Sequence, residues 1–347
     1  MKKRIILATI GVAVLALGVV TASYAAKPSS HQKAAATFKV GLVTDIGGLN
    51  DRGFNHLAYV GLLRAEKKLK IKGRVLTSNS SADYIPNLSS LAKAGYNLVI
   101  GVGFLQEDAI QKMAAQFPNT KFAGVDMNAI GDFKNITKNF MGIIFQENQV
   151  GYMVGYLAGL EAKRLKKNTV SSVGGIPVPA VIRYIAGYQA GAKAAFPGVK
   201  TLNGYSQDFV AQDKCKSVAL DQISQGSAAV FQVAGGCGLG ALDAAKEKNV
   251  WGIGVDSDQS FVNNKVLTSA QKKVDVGVYD AIFRLFKLNK FFGGGNIVLN
   301  AANGGVGLGT INKAVPKAEV AATLAVAKKI AKGTIKPPTQ CSPNPNC

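Results

Sequence analysis

A chain of 347 residues that is 48% hydrophobic is long and apolar enough to bury the cores of two ordinary domains, which excludes a wholly disordered chain. Its 41 Lys and Arg against 20 Asp and Glu give a formal charge of +21. The lysines are spread along the chain, with no arginine-rich or aromatic-interleaved patch, so nucleic acid is not an expected partner; attraction to anionic membrane or wall surfaces, or a merely solvated face, explains the charge more simply.

Lys2, Lys3 and Arg4 precede an almost wholly apolar run at 5–20, and Ser23-Tyr24-Ala25 ahead of Ala26 supplies the small residues of a cleavage site. Residues 1–25 read as an export signal, with an uncleaved anchor as the alternative; the run is shorter than the roughly 20 residues a spanning helix needs. No cysteine lies near the cleavage site, so a lipoprotein is not expected, and the protein is placed in the periplasm or at the cell surface. Residues 26–36 (AKPSSHQKAAA) read as a disordered polar leader.

Beyond the leader, short apolar runs alternate with helical periodicity. Strands are expected at 38–44, 74–77, 98–101 and 122–125, with helices at 54–69, 85–94 and 105–117 between them. The rhythm restarts with a helix at 149–163, a strand at 170–173, a helix at 180–195 and a strand at 199–204. A helix at 211–225, a strand at 228–233, a helix at 239–248 and a strand at 251–255 follow. A helix at 274–288, a strand at 297–299, an amphipathic helix at 317–332 and a loose Pro-rich tail from Pro337 complete the chain. Alternation of this kind implies parallel sheets covered on both faces, and its repetition implies two α/β lobes.

Ligands of open α/β sheets sit beyond the carboxyl ends of strands. Those ends carry Asp45, Gly103-Phe104, Asp126, Gly174-Gly175, Phe231 to Gly236 (Gly235 among them) and Asp256. After Asp45, Gly47-Gly48 lets the chain turn, Asn50 or Asp51 can cap the next helix, and Phe54 and Asn55 fall in its first turn. One aromatic face can stack on a planar ring while Asn and Asp supply donors and acceptors. The bland alternatives are that Asp51 is only a cap and Phe54 only core. Asp256 can accept two hydroxyl hydrogen bonds, as a diol requires, and Lys272 brings an ammonium into the same cleft unless it is a plain surface lysine.

Catalytic machinery is thin. GxSxG, Walker and HExxH patterns are missing, and the two histidines are His31, in the leader, and His56, read as structural or at a rim. Gly236-Cys237-Gly238-Leu239-Gly240-Ala241 imitates a dinucleotide loop but comes late in an exported chain. The four cysteines suggest two disulfides: Cys341 and Cys347 would close a small terminal loop, which leaves Cys215 for Cys237. No metal site or cofactor is expected.

The segments 43–55, 101–104, 122–126, 141–159, 173–192 and above all 230–280 carry a resemblance. There AAKEKNVWGIGVDSDQS is followed by VLTSAQKKVDVGVYDAI. The chain resembles, over about 40–330, the basic membrane protein (BMP) family of ABC-transporter substrate-binding proteins, which includes purine nucleoside receptors. The resemblance implies a periplasmic-binding-protein type I fold: two doubly wound lobes joined by three crossing segments near 145, 257 and 300, closing on ligand by a hinge. The lobes would then be 37–145 plus 257–300 and 146–256 plus 301–333, with a tail at 334–347. It implies a base held between two phenylalanines matched to Phe54 and Phe231. Asp45 and Asn55 would contact the ligand from the first lobe, Asp126 would lie near the base, Asp256 on the ribose hydroxyls and Lys272 near the sugar. Asn50, Phe104 and Gly235 complete the expected ligand set.

The expected function is that of an extracytoplasmic receptor, monomeric and without chemistry of its own, that passes a nucleoside to an ABC permease. The alternatives are a receptor of the same fold for a sugar or other small polar ligand, and an exported nucleoside hydrolase using the carboxylates; an adhesin role could coexist. Two departures stand out. Many family members are lipoproteins, and the Cys215/Cys237 pair is not general to the family.

Overall fold

The computed structural model describes residues 37–131, 133, 137–342, 344 and 347; the expected export signal and leader lie outside them. The elements run β1 (Lys39–Val43), α1 (Phe54–Leu69), β2 (Lys72–Leu76), α2 (Tyr84–Lys93), β3 (Leu98–Val102), α3 (Glu107–Gln116), β4 (Lys121–Val125) and β5 (Phe140–Phe145). Then come α4 (Glu147–Arg164), β6 (Thr169–Gly174), α5 (Pro179–Ala195), β7 (Lys200–Tyr205), α6 (Gln212–Ser224), β8 (Ser227–Val233), α7 (Gly238–Glu247) and β9 (Trp251–Asp256). The chain ends with β10 (Val266–Lys272), α8 (Val274–Leu288), β11 (Asn296–Leu299), β12 (Val306–Leu308) and α9 (Lys317–Ala331). Among the described residues no helix is long and apolar enough to cross a membrane.

The strands form two six-stranded sheets, ordered β11-β5-β4-β3-β1-β2 and β12-β10-β9-β8-β6-β7. Every pairing is parallel except β10 with β12. The central strands β3, β8 and β9 are buried along their whole length, as strands with helices on both faces must be. The edge strands β2 and β7 are instead partly exposed and begin with Lys72 and Lys200, charges that discourage pairing with another chain.

The two orders match strand for strand, so β1, β3 and β4 of the first sheet correspond to β6, β8 and β9 of the second. The lobes also exchange helices. Helix α4 follows β5 of the first sheet but packs on α5 of the second lobe, and α8 follows β10 of the second sheet but packs on α1 of the first. The α4–α5 contact is close because glycines line it. A Cβ at Gly155 would stand 2.0 Å from the Tyr188 carbonyl oxygen, and one at Gly187 2.1 Å from that of Asn148.

The crossings therefore fall at 145–147, 272–274 and 299–306, and the expected crossing near 257 is corrected. Residues 266–272 belong to the second sheet, paired with β9, so the returning part of the first lobe is α8 and β11 alone. The strand VLTSAQK is hard to read because three of its buried side chains are polar and satisfied internally. The Ser269 hydroxyl accepts the Gln259 N–H at 2.9 Å, and that of Thr268 donates to Gly309 O. The Pro-rich tail is tied down at its first residue: Pro337 is buried and its carbonyl accepts the Asn148 side-chain amide at 2.7 Å. Disulfides join Cys341 to Cys347 and Cys215 to Cys237.

Candidate functional site

The carboxyl ends of both parallel sheets open onto one cleft. Asp45, Gly103, Phe104 and Asp126 line it from the first lobe, with Asp51, Phe54 and Asn55. Phe209, Gly235, Gly236, Asp256 and Tyr184 line it from the second, and Lys272 lies between. The space free of protein atoms is about 690 Å³, part of it open to solvent, within the range of small-molecule sites. The rim is drawn together by the Ser257 hydroxyl, which donates to the Arg52 carbonyl of the other lobe at 2.6 Å.

Asp51 builds the entry to α1. Its Oδ1 accepts the N–H groups of Gly53 and His56 at 3.0 and 3.1 Å, and its Oδ2 that of Asn55 at 2.7 Å. These are the orphan donors of a helix start. The cap fixes Phe54 at the cleft and turns the Asn55 side chain back to accept the Asp45 N–H at 2.9 Å. Asp45 Oδ1 accepts from the Tyr84 hydroxyl at 2.5 Å and from Ile46 N–H at 2.8 Å. Its Oδ2 rests on Gly103, where a Cβ would stand 2.1 Å away and where φ is +101°. Only glycine meets both conditions.

Asp126 and Asp256 end corresponding strands and share a left-handed backbone, φ 65° and 60°. That conformation is tolerated by Asp better than by most residues, and it aims both carboxyls across the strand ends. Asp256 Oδ1 accepts from the Tyr184 hydroxyl at 3.2 Å. Lys272 is 1% exposed. Its ammonium lies 2.6 Å from Asp126 Oδ2 and 2.9 Å from Glu147 Oε1, and about 5 Å from the ring centres of Phe54 and Phe145. Arg183 holds the other oxygen of Glu147 at 2.7 Å. One lysine thus ties the end of β4 to the first crossing from the second.

These contacts set the charges. Burial pushes the Asp45 carboxyl up to about 6, against the Tyr84 and Ile46 hydrogen bonds. Burial pushes Asp256 up to about 7 although Lys272 opposes it, with Asp126 and Asp51 adding repulsion. Asp126 is raised by burial, which Lys272 offsets only in part. For Glu147 burial is outweighed by Arg183 and Lys272, which hold it below its ordinary range. The Lys272 ammonium loses by burial but gains more from Asp126, Glu147 and Asp256, and stays charged. Asp126 Oδ1 is buried without a hydrogen-bond partner. A wall rich in acceptors, whose one ammonium is already engaged twice, suits an uncharged ligand with several N–H or O–H donors and disfavours an anion. Among the described residues no group of three or more His, Cys, Asp or Glu is arranged to hold a metal.

Eight residues marked from the sequence line this one cavity: Asp45, Phe54, Asn55, Phe104, Asp126, Gly235, Asp256 and Lys272. Lys272 is no surface lysine. Two others do not line it. Asn50 is exposed on the short turn Gly48–Asn50. Phe231 is fully buried within β8, its ring centre 5.9 Å from that of Tyr184 and 5.1 Å from that of Tyr188. Its place on the strand turns it to the core beneath α5, and the second-lobe aromatic wall is Phe209 instead. Phe209 stands four residues past the end of β7, so the strand-end rule could have found it; Tyr184, within α5, carries no such signal. Gly238 and Gly240 serve packing: a Cβ at Gly240 would stand 1.9 Å from the Gln212 carbonyl oxygen.

Residues 38–340 match the family model of PnrA-like ABC transporter substrate-binding proteins. A CD4+ T-cell-stimulating antigen of Listeria innocua is 35% identical, covering 97% of this chain and 99% of its own. The ABC transporter nucleoside-binding protein BmpA of Lactococcus lactis is 35% identical, covering 90% and 93%. A solved ABC transporter solute-binding protein of Aeropyrum pernix superposes with a TM-score of 0.77 over 86% of this chain and 92% of that one, at 24% identity. This chain is an extracytoplasmic substrate-binding protein, not an enzyme, and belongs to the Bmp family of ABC transporter substrate-binding proteins.

Proposed function

We propose that the cleft binds a nucleoside, a purine nucleoside foremost, and that the protein delivers it to an ABC importer. The observation that carries this reading is the pairing of one phenylalanine from each lobe, Phe54 and Phe209, in a cavity that also holds Asp256, Asp126 and Asp45. A planar base offers two apolar faces to the rings, worth a few kcal/mol by stacking, and a ribose offers hydroxyl donors to a buried carboxylate. In this assignment the ribose diol donates to Asp256, steadied by Tyr184, and base N–H groups donate to Asp126 and Asp45. Lys272 holds Asp126 in place and keeps the crossing segments together while the lobes close. The name of the Lactococcus relative supports the ligand class.

Calorimetry on protein stripped of ligand by unfolding and refolding tests the proposal. Guanosine, inosine or adenosine should bind at one site per chain, and ribose alone more weakly. No heat and no melting shift with any nucleoside would overturn it; equal binding of ribose and nucleoside would move the reading to a sugar receptor.

A further inference from the structure

Helix α6 packs beside α7 and is also tied to it covalently. Its buried residues are Cys215, Ala219 and Gln222, and the small cluster around Cys215 and Cys237 contains alanines 219, 234, 241 and 244 besides Val173 and Val230. Val218, Leu220 and Ile223 of α6 pack against this cluster, and a disulfide adds a covalent tie to that packing. Both sulfurs are fully buried, and the bond joins the fourth residue of α6 to the residue just before α7.

That bond brackets the cleft wall. The loop between β7 and α6 holds Phe209, whose ring leaves no room for a side chain at Gly175: a Cβ there would stand 2.2 Å from Phe209 Cε1. The Phe209 carbonyl accepts the Cys237 N–H at 3.0 Å. Ahead of Cys237, Gly235 and Gly236 line the cavity with their backbone. Between Phe209 and Cys215 run only five residues, among which Val210 and Ala211 donate their N–H groups to Asp208 Oδ1 at 2.8 and 3.0 Å. Phe209, the start of α6, the disulfide and Cys237 thus close a short ring, covalent except for one hydrogen bond.

We propose that the Cys215–Cys237 disulfide is a positioning element of the ligand site, holding the Phe209 ring and the Gly235-Gly236 backbone in the cavity that Phe54 lines from the other lobe. The proposal rests on the nucleoside reading for its consequence, because a misplaced ring matters most to a ligand that stacks. The thiol-free pair Cys215→Ala/Cys237→Ala then loses stacking as well as second-lobe stability.

A double-mutant cycle separates the two effects. Phe209→Ala in the disulfide-bonded protein should weaken nucleoside binding by about thirty-fold. Without the disulfide, binding should already be about ten-fold weaker, and Phe209→Ala should then weaken it by less than about three-fold. Equal losses in both backgrounds, or full affinity without the disulfide, would overturn the proposal and leave the bond a stabiliser of the lobe. A second readout needs no ligand: 4-fluorophenylalanine at position 209 should give one narrow fluorine resonance with the disulfide and a broadened or split one without it. The variant Cys215→Val/Cys237→Ala, which refills the buried volume, serves if the alanine pair does not fold. An unchanged resonance overturns the proposal on its own. Failure of the disulfide-bonded protein to bind any nucleoside would instead overturn the assignment of ligand, with the fluorine measurement still deciding the role of the bond.

Discussion

Replacement of Lys272 by Met isolates the electrostatics of the hinge. The variant keeps an unbranched chain of similar length but removes an ammonium from between Asp126 Oδ2, at 2.6 Å, and Glu147 Oε1, at 2.9 Å. Glu147 retains Arg183. Asp126 retains nothing comparable, because its Oδ1 already lacks a partner. Breaking a buried pair from one side typically costs about 3–5 kcal/mol, whereas removing both partners is often near neutral. Lys272→Met should therefore lose about 3–5 kcal/mol, and Lys272→Met/Asp126→Asn should recover more than half of it. The loss has a definite pH sign. With the ammonium gone, the Asp126 carboxyl is raised further above its unfolded value, so the folded protein holds the proton more tightly. Stability of the variant falls as pH rises from the unfolded value through the folded one, and the gap from the parent widens as pH rises above the ordinary carboxylate range. Guanidinium unfolding followed by circular dichroism and by the single Trp251 measures all of this. A loss below about 1 kcal/mol, or no recovery in the double variant, would refute the assignment of Lys272 as the counter-ion of Asp126.

Asp256→Ala should weaken nucleoside binding by about ten- to hundred-fold while leaving the free base nearly unaffected, measured by calorimetry with both. Because Asp256 is raised to about 7 and must be ionised to accept two hydroxyl donors, affinity should climb about ten-fold from pH 6 to 8 and level off above. Ligand-free stability runs the opposite way: the raised carboxyl binds a proton in the folded state, so stability falls as pH rises from about 4 to about 7. Asp256→Asn should remove most of both slopes, the remainder lying near pH 6 with Asp45. Gly155→Ala should destabilise by about 2 kcal/mol in denaturant titrations despite alanine's better helix propensity, since its Cβ would meet the Tyr188 backbone at 2.0 Å; a neutral result would contradict the close α4–α5 approach.

What could be read from the chain divides along physical lines. Strand ends are legible because glycine and aspartate are the residues that leave a parallel strand, and Asp45, Gly103, Asp126 and Asp256 all lie where that rule puts them. Helices with uninterrupted periodicity, such as α1 and α8, were legible to the residue. Which aromatic faces the cleft was not legible. Phe231 and Phe209 lie near the ends of β8 and β7, two strands separated in the sheet by β6, but orientation depends on register and on the loop held by Cys237, neither of which periodicity reports. The second crossing was misplaced for a related reason: β10 buries Thr268, Ser269 and Lys272, and a strand with polar buried positions looks like a loop until its partners are known. The start of the tail was misread because Pro-rich composition is blind to a single backbone acceptor, Pro337 O, meeting the buried Asn148 amide.

A crystal structure of the protein soaked with a purine nucleoside tests the central claim most directly. The base should lie between the rings of Phe54 and Phe209, the ribose diol on Asp256 beside Tyr184, and Phe231 should remain in the core. A nucleoside bound with its base away from both rings, or density for it outside the cleft, would contradict the account.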